Sequence, residues 1–314
     1  MTDKSRLDRV YAQLMRHHPY GWALYKKVTK REIFPGSCGY FDPEGDWQTI
    51  VDLTGPSHNL VGQGWKVPCD KIHSTRSPES TTWGPKNSGS IESRSVGGTV
   101  GATVAVAPVK ASVTMLFENK SEQGAVLTTE SPVLRHDIGD ERSALQWMID
   151  NKSEILRQHG DVLKRHGIWI VTKTYSTRRC GIAIMTTRSS TVEIGLEADV
   201  QGVLTLTPKN SWTNSTGSSC MELHEDDKDG VVVFISGIYF SKKLFSSGIR
   251  PARGQEEQKD KMFRGDEDED VSGLNDGGGE GSELDIEFYP PLDEEQDNDD
   301  DDDDDDDDDE DCED

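Results

Sequence analysis

The sequence predicts a β-rich α+β body followed by a disordered acidic tail. Three observations support this expectation. Residues 94–117 alternate small apolar with small polar side chains, which is the period of a strand. Residues 140–166 repeat apolar side chains at helical spacing. From Gly265 to Asp314 the chain has 29 acidic residues and no basic one, which leaves 30 acids and 34 bases in residues 1–264.

The first predicted element is a basic amphipathic helix over residues 5–18. Its apolar stripe has the spacing i, i+3, i+4, i+7 and i+8 and consists of Leu7, Val10, Tyr11, Leu14 and Met15. Arginines lie off that stripe at Arg6, Arg9 and Arg16. The pattern is compatible with a surface helix packed on the body and with a helix that lies on anionic lipid.

A basic stretch follows and ends in a short apolar tip. Lys26, Lys27, Lys30 and Arg31 come just before Ile33–Phe34, and a Pro-Gly turn follows. Cations beside an exposed apolar tip are typical of a membrane-binding surface, because the charges contact headgroups while the tip enters the acyl boundary. An ordinary strand with a solvated basic edge is the alternative.

The alternating run at 94–117 is the most informative segment. Its apolar face is built from small residues, among them Val96, Val100, Val104 and Val106, and the alternation resumes after Pro108 with Val113 and Met115. Strands of this kind resemble those of a transmembrane barrel, where about 9–11 residues alternate between lipid and water. A half-buried antiparallel sheet in a folded core gives the same pattern.

The second half of the body is predicted to be one helix and several strands. The helix at 140–166 fits ordinary core packing. Strands are expected at Ile168–Thr177 and Cys180–Thr187, and a third run alternates Val192 and Ile194 with acidic residues. The apolar run Val231–Phe240 predicts a buried strand. Residues 65–93, rich in Ser, Thr, Pro and Gly, are expected to form a long loop.

Composition and motifs exclude several classes of protein. No run approaches about 18 consecutive apolar residues, so we expect no transmembrane helix. The charged N-terminus argues against a secretory signal and for a cytoplasmic protein. The five cysteines form no C-x-x-C pair, and no catalytic or nucleotide-binding motif is present. We therefore expect no enzyme, cofactor, metal site or nucleic-acid partner.

The order of these features resembles the pore-forming N-terminal domain of gasdermins, in particular the fungal gasdermin-like proteins that act in cell death. A basic helix precedes the Lys/Arg-rich stretch with its apolar tip, a bland Gly/Val/Thr hairpin region and a central helix. A hairpin beginning Gly-Ile-Trp-Ile-Val-Thr-Lys-Thr-Tyr comes next, and then the strand Val-Val-Val-Phe-Ile-Ser-Gly-Ile-Tyr-Phe. The resemblance covers roughly residues 3–245.

The resemblance implies a twisted antiparallel β-sheet with surrounding helices and a mechanism of membrane permeabilisation. The domain, 1–245, would bind acidic phospholipids of the plasma membrane, oligomerise and insert two hairpins as a β-barrel. The partner would be a second copy or an allelic form of the chain. By position, the lipid contacts would be Arg6, Arg9, Arg16, Lys26, Lys27, Lys30, Arg31, Ile33 and Phe34. The hairpins would be residues 94–128 and 168–200, the second including Ile168, Ile170, Ile182, Ile184, Val192 and Ile194.

The C-terminal part departs from the animal members of the family, which have a large helical domain there. Residues 246–264 form a basic linker in which an activating protease could cut at Arg250, Arg253 or Arg264. Residues 265–314 have the composition of a disordered polyanion with one apolar island, Leu284 to Leu292. Since apolar residues alternate in it, the island could add as a strand to an open sheet edge. We hypothesise that the tail covers the basic face and is anchored by this island.

Two other classes fit part of the sequence. An acidic-tailed chaperone or binding module would hold basic proteins through charge alone. That interpretation explains the tail but leaves the hairpins and the basic stretch unexplained. A soluble lectin-like module is less well supported, because the Trp and Tyr residues are not clustered as a sugar-binding platform requires.

Overall fold

The computed structural model describes residues 7–75, 77–98, 111–139, 141–198, 204–206, 212–242 and 284–290. These residues form four helices: α1 (Leu7–Leu14), α2 (Ser57–Gly62), α3 (Glu141–Asp150) and α4 (Lys152–Arg165). They also form seventeen strands: β1 (Trp22–Ala23), β2 (Ser37–Phe41), β3 (Trp47–Asp52), β4 (Glu79–Thr81), β5 (Lys86–Asn87), β6 (Ile91–Gly98), β7 (Ala111–Asn119), β8 (Gly124–Thr129), β9 (Val133–Asp137), β10 (Ile168–Thr177), β11 (Arg179–Met185), β12 (Thr191–Ala198), β13 (Leu204–Leu206), β14 (Trp212–Thr216), β15 (Ser219–Glu225), β16 (Val231–Lys242) and β17 (Leu284–Tyr289). The chain is therefore mostly antiparallel β-structure with a few helices, as the sequence predicts.

The largest sheet, sheet 1, has eight strands arranged around β10 and β16. These two pair antiparallel from Ile168↔Phe240 to Thr177↔Val231. On its other side β10 pairs with β2 and β9, which in turn pair with β3 and β4. The outer edge of β16 is shared by two short strands, β1 at Phe234–Ile235 and β17 at Gly237–Lys242.

Two smaller sheets lie beside sheet 1. Sheet 2 has four strands in the order β15-β11-β8-β5, and sheet 3 has the order β13-β12-β7-β6 with β14 also paired to β12. The two orders correspond strand by strand, because β14, β12, β7 and β6 are joined directly along the chain to β15, β11, β8 and β5. Sheets 2 and 3 are thus two halves of one four-stranded arrangement, in which each strand of sheet 2 continues along the chain as a strand of sheet 3 after a sharp bend.

Apolar residues fill the spaces between these layers. One cluster packs α3 and α4 on sheet 1, with Trp147, Ile155 and Leu163 against Ile170 and Phe240. The cluster between sheets 2 and 3 joins residues of both bent halves: Ile91, Phe117, Val126, Ala183, Met185, Val192, Ile194, Leu196 and Leu206. The burial of β16 confirms the prediction of a core strand at Val231–Phe240.

Helix α1 occupies less of the chain than the sequence predicts. The expected helix is 5–18, and α1 ends at Leu14. Tyr11 and Met15 of its apolar stripe are buried against sheet 2 residues such as Ala125 and Leu127, as the stripe predicts.

The predicted helix at 140–166 is two helices, because Asn151 interrupts it. The Asn151 side chain donates to the carbonyl of Trp147 at 2.9 Å, and its oxygen accepts from the backbone N–H of Lys66 at 2.8 Å. Asparagine amides compete with the helical backbone in this way. Since the partner at Lys66 is remote in sequence, periodicity alone does not indicate the break.

The expected loop at 65–93 contains β4 and β5 and the start of β6. These strands are short and pair with residues far along the chain, so local composition conceals them. Among the described residues, no helix is long and apolar enough to cross a membrane.

Candidate functional site

The basic stretch lies between β1 and β2, and three of its four cations are ion-paired. Lys26 contacts Asp46 at 2.8 Å, Lys27 contacts Asp226 at 3.3 Å, and Arg31 contacts Asp229 at 3.8 Å. Asp226 and Asp229 belong to the turn between β15 and β16.

The turn that carries these acids is organised by its own backbone. The N–H of Asp229 donates to the Asp226 carboxylate at 2.8 Å. This hydrogen bond, with the Lys27 ammonium beside it, holds the pKa of Asp226 below its usual value. The cation of each pair is exposed, whereas Asp226 and Asp229 are only partly exposed. Ion pairs near the surface contribute about 0–1 kcal/mol each, so an anionic ligand can displace the carboxylates at low cost.

The expectation of an exposed apolar tip is wrong for Ile33 in this conformation. Ile33 has an exposure of 0% and packs with Trp169, Val171 and Val232. Its backbone N–H donates to the carbonyl of Thr29 at 3.0 Å, which turns the side chain inward. Phe34 is only half-buried. An apolar residue after a run of cations can therefore belong to the core, which the linear pattern does not reveal.

Two of the three N-terminal arginines lie near the aromatic residues of β16 and β17. Arg9 on α1 and Arg16 just after it are exposed, whereas Arg6 is outside the described residues. Burial raises the pKa of Tyr239 and of Tyr289, and the nearby charges of Arg9 and Arg16, respectively, act in the opposite direction.

Sheet 3 has one apolar face and one mostly polar face. The pairs Val192↔Phe117, Ile194↔Met115 and Leu196↔Val113 share the face that packs on sheet 2. The alternate positions of the same strands form the opposite, mostly polar face: Ser112, Thr114, Leu116, Glu118, Thr191, Glu193, Gly195 and Glu197. Leu116 is the apolar exception among them and is buried. Glu118 is paired there with Lys120 at 2.9 Å. Strands β7 and β12 have 9 and 8 residues, close to the length of about 9–11 that spans a bilayer.

The structure brings together part of the predicted hairpin residues. Val113, Met115, Val192 and Ile194 lie side by side on the apolar face of sheet 3, and Val96 is exposed on β6. Val100, Val104 and Val106 are outside the described residues. The first hairpin is thus observed as β6 paired with β7.

Residues 168–200, the expected second hairpin, do not pair with one another as a hairpin in this conformation. Ile168 and Ile170 lie on β10 in sheet 1, whereas Ile182 and Ile184 lie on β11 in sheet 2. All four are fully buried. Strand β12 pairs instead with the strands that follow it, β13 and β14. The assignment of residues 168–200 to a membrane hairpin stays a prediction.

The apolar island of the tail forms β17 and adds antiparallel to β16, with Gly237↔Tyr289 and Lys242↔Leu284 as the end pairs. This confirms the predicted strand addition. Leu284, Ile286 and Phe288 extend the cluster under α3 and α4. The strand-addition prediction holds because the island alternates apolar and acidic residues, a pattern that suits a half-buried edge strand.

Tyr289 occupies an aromatic seat formed by three side chains of the body. Its ring lies 4.9 Å from Trp169, 5.6 Å from Trp22 and 6.5 Å from Tyr239. Its hydroxyl donates to Glu287 at 2.8 Å, and burial raises the pKa of Tyr289. Sequence reasoning missed this seat, because its three members come from separate strands. The aromatic residue at the end of the island was the available signal.

Other predicted features are not brought into a site. Arg250, Arg253 and Arg264 are outside the described residues, as is most of the tail, so the domain boundaries at 245 and 264 stay predictions. Within the part of the chain that is described, no group of three or more His, Cys, Asp or Glu side chains could hold a metal ion.

Comparisons with known proteins give weak likenesses only. No protein family and no curated protein matches the chain. Among solved structures, a bacterial gasdermin from Bradyrhizobium tropiciagri is similar at 10% identity, with 70% of this chain and 81% of that chain covered and a TM-score of 0.25. The Gasdermin A3 membrane pore is similar at 8% identity, with 77% and 90% covered and a TM-score of 0.25.

Proposed function

We propose that the protein is a gasdermin-like pore former that permeabilises membranes and leads to regulated cell death. The observation that carries the proposal is sheet 3, which has an apolar face and a polar face on strands of nearly membrane-spanning length. A transmembrane barrel needs this alternation, because one face meets lipid and the other lines a wet lumen. The activity requires no enzymatic chemistry.

The basic stretch and α1 are the proposed contacts with acidic phospholipids of the plasma membrane. Lys26, Lys27 and Arg31 are paired with carboxylates near the surface, which phosphate groups can replace. Each cation near an anionic surface contributes about 1 kcal/mol. Phe34 is half-buried at the end of this stretch and could follow the cations into the interface, whereas Ile33 would first have to leave the core.

Oligomerisation follows from the edges of sheet 3. Within the described residues, β6 pairs on one side only, and β13 and β14 form the opposite edge. In lipid every backbone polar group needs a partner, so an open sheet cannot span a bilayer alone. Several copies, or copies of this chain with an allelic form, would join edge to edge and close a barrel.

The tail is the proposed inhibitor. Strand β17 covers part of the outer edge of β16 and brings Asp285 and Glu287 to that edge. A protease that cuts in the basic linker at Arg250, Arg253 or Arg264 would separate the body from this strand. The protein would be cytoplasmic before cleavage and at the plasma membrane after it.

Dye release from liposomes tests this function. A specific protease site inserted between residues 250 and 264 allows the full chain to fold before it is cut. We expect the cut protein to release dye from liposomes containing acidic lipid, and the intact chain to release much less. Release by neither form, with binding to acidic lipid also absent, contradicts pore formation.

The charge of the tail favours one other function, a binding module for basic proteins. A run of carboxylates binds cationic surfaces through charge, and such binding weakens as salt screens it. A salt-sensitive complex with a basic protein, formed by the full chain and lost on removal of residues 291–314, together with no dye release, is the result that favours this alternative.

A further inference from the structure

The chain passes between sheets 2 and 3 four times, and the four connecting segments lie side by side along the bend between the sheets. We call these segments the seam. It consists of residues 88–90, 119–123, 186–190 and 217–218, each joining a strand of one sheet to its continuation in the other. Hydrogen bonds link the crossings in sequence from one edge to the other. Lys120 N–H donates to the carbonyl of Ser90 at 2.9 Å, and Thr186 N–H donates to that of Ser218 at 2.9 Å.

Asn119 is the centre of this seam. It has an exposure of 0%, and its amide nitrogen donates to the carbonyls of Ser121 and Thr187 at 2.8 and 3.0 Å. Its backbone N–H donates to the carbonyl of Ser190 at 2.9 Å, and its carbonyl accepts from Ser189 at 2.8 Å. One residue therefore ties the end of β7 to the turn before β12.

Hydroxyl groups extend the network to the last crossing. The hydroxyls of Thr187 and Ser190 are 2.6 Å apart, and Ser190 is fully buried. Gly217 has φ +76°, and a Cβ there would lie 2.6 Å from the Ser190 hydroxyl. This close approach leaves room only for glycine. The seam is thus specified by polar side chains and backbone shape, whereas the sheets on either side are held by apolar packing.

We infer that the seam is a hinge, and that Asn119, Thr187 and Ser190 are the positioning residues that hold sheet 3 folded on sheet 2. The inference rests on the proposed function. Opening the hinge lets β7 continue into β8, and β11 into β12, without changing the strand order of either sheet. The joined strands would combine 9 with 6 residues and 7 with 8 residues, which exceeds the length of about 9–11 needed to cross a bilayer.

The matched pair of variants is Asn119→Ala and Asn151→Ala in the full chain. Both asparagines are buried and both donate side-chain hydrogen bonds to backbone carbonyls, but Asn151 lies between α3 and α4. Amide hydrogen exchange measured without lipid separates local opening from global unfolding.

We expect Asn119→Ala to speed exchange of the seam amides of Lys120, Thr186 and Ser189 about tenfold, because opening the seam breaks the hydrogen bonds that these amides donate. Exchange in β10 and β16 should be unchanged, and pairing between β7 and β12 is kept. Asn151→Ala should speed exchange in α3 and α4 only. Equal acceleration in all sheets, or none at the seam amides, overturns the hinge. Should Asn119→Ala fail to fold, Ser190→Ala carries the same test with the loss of one hydroxyl.

A second arm separates the hinge from the pore. In the chain cut at the linker, Asn119→Ala should release liposome dye several-fold faster than the unsubstituted cut chain at equal lipid binding. An unchanged rate of dye release with faster exchange at the seam amides overturns the role of the hinge in membrane insertion. The absence of dye release from every cut form counts against the proposed function, while the lipid-free exchange result decides the hinge by itself.

Discussion

Replacement of Tyr289 by alanine should detach the tail strand while the body stays folded. The partly buried side chain of Tyr289 removes on the order of 100 Å² of apolar surface from water. At about 25 cal/mol per Å² this burial contributes about 2.5 kcal/mol. Ring contacts at 4.9 Å to Trp169 and 5.6 Å to Trp22 add about 0.5–1 kcal/mol. A loss of about 3 kcal/mol shifts the attachment equilibrium of β17 about 100-fold.

Hydrogen exchange of the β17 amides measures this shift directly, because those amides lose protection when the strand leaves β16. We expect exchange in β17 to rise about 100-fold while exchange in β11 is unchanged. Tyr25→Ala is the matched control, since Tyr25 is a half-buried tyrosine that packs on α1 at 5.9 Å from Tyr11, away from β17. Under the proposed function, uncut Tyr289→Ala also releases dye from acidic liposomes.

Two results separate the steps of this reasoning. Unchanged exchange in β17 means that Tyr289 does not anchor the strand, and the packing estimate is then incorrect. Faster exchange in β17 without dye release means that the strand is anchored as described but does not inhibit the body.

The remaining predictions concern the membrane faces and pH. Val113→Lys should abolish dye release by the cut chain, since a lysine on the lipid face costs about 2–4 kcal/mol at the bilayer midplane, whereas Thr114→Lys on the polar face should retain it. Arg31→Glu should weaken binding to acidic vesicles about tenfold in a salt-sensitive manner, measured by co-sedimentation, with Lys164→Glu on the exposed side of α4 as the control; equal losses in both contradict a local contact. Burial, with His17 and Lys86 nearby, lowers the pKa of His18 from 6.5 to about 4. Because the unfolded state binds this proton first, stability should fall as pH drops from about 6.5 towards 4, by roughly 1 kcal/mol at pH 5 after allowance for half-burial, and His18→Gln should remove that part of the slope in urea unfolding.

Local sequence patterns predict the elements that bury one face, because the spacing of the apolar residues identifies that face. The apolar run of β16, the stripe of α1 and the alternation of β12 each report a buried face, and the structure has these faces buried. The strand in the acidic tail was predicted for the same reason, since Leu284, Ile286 and Phe288 alternate with acids.

Long-range pairing was not predictable in this way. Strands β10 and β11 are separated only by Arg178, yet they enter different sheets. Nothing in their apolar residues distinguishes a hairpin from a crossing between sheets, so the pattern does not reveal that β10, β11 and β12 lie in three different sheets. The seam was unpredictable for the same reason, because Asn119 and Thr187 are 68 residues apart in sequence and are brought into contact only by the fold.

The basic stretch shows a related limit. The cations were found from their spacing, but their carboxylate partners at Asp46, Asp226 and Asp229 come from other turns. Charge pairing and the burial of Ile33 depend on tertiary neighbours, which a linear pattern of basic and apolar residues does not contain.

The central claim is that sheet 3 crosses the bilayer with one face in lipid. Val113, Thr114 and Met115 are consecutive half-buried residues of β7, so each can be changed to cysteine and labelled with an environment-sensitive dye. Background labelling is limited by replacing Cys69, Cys220 and Cys312, while Cys38 and Cys180 are buried, which raises the pKa of both thiols.

The measurement is quenching of each dye in liposomes that carry acidic lipid, after the linker is cut. We predict that a lipid-phase quencher acts on labels at 113 and 115, and that aqueous iodide acts on the label at 114. Equal access of iodide to all three labels, or spectra unchanged from those in solution, contradicts insertion of sheet 3 into the membrane.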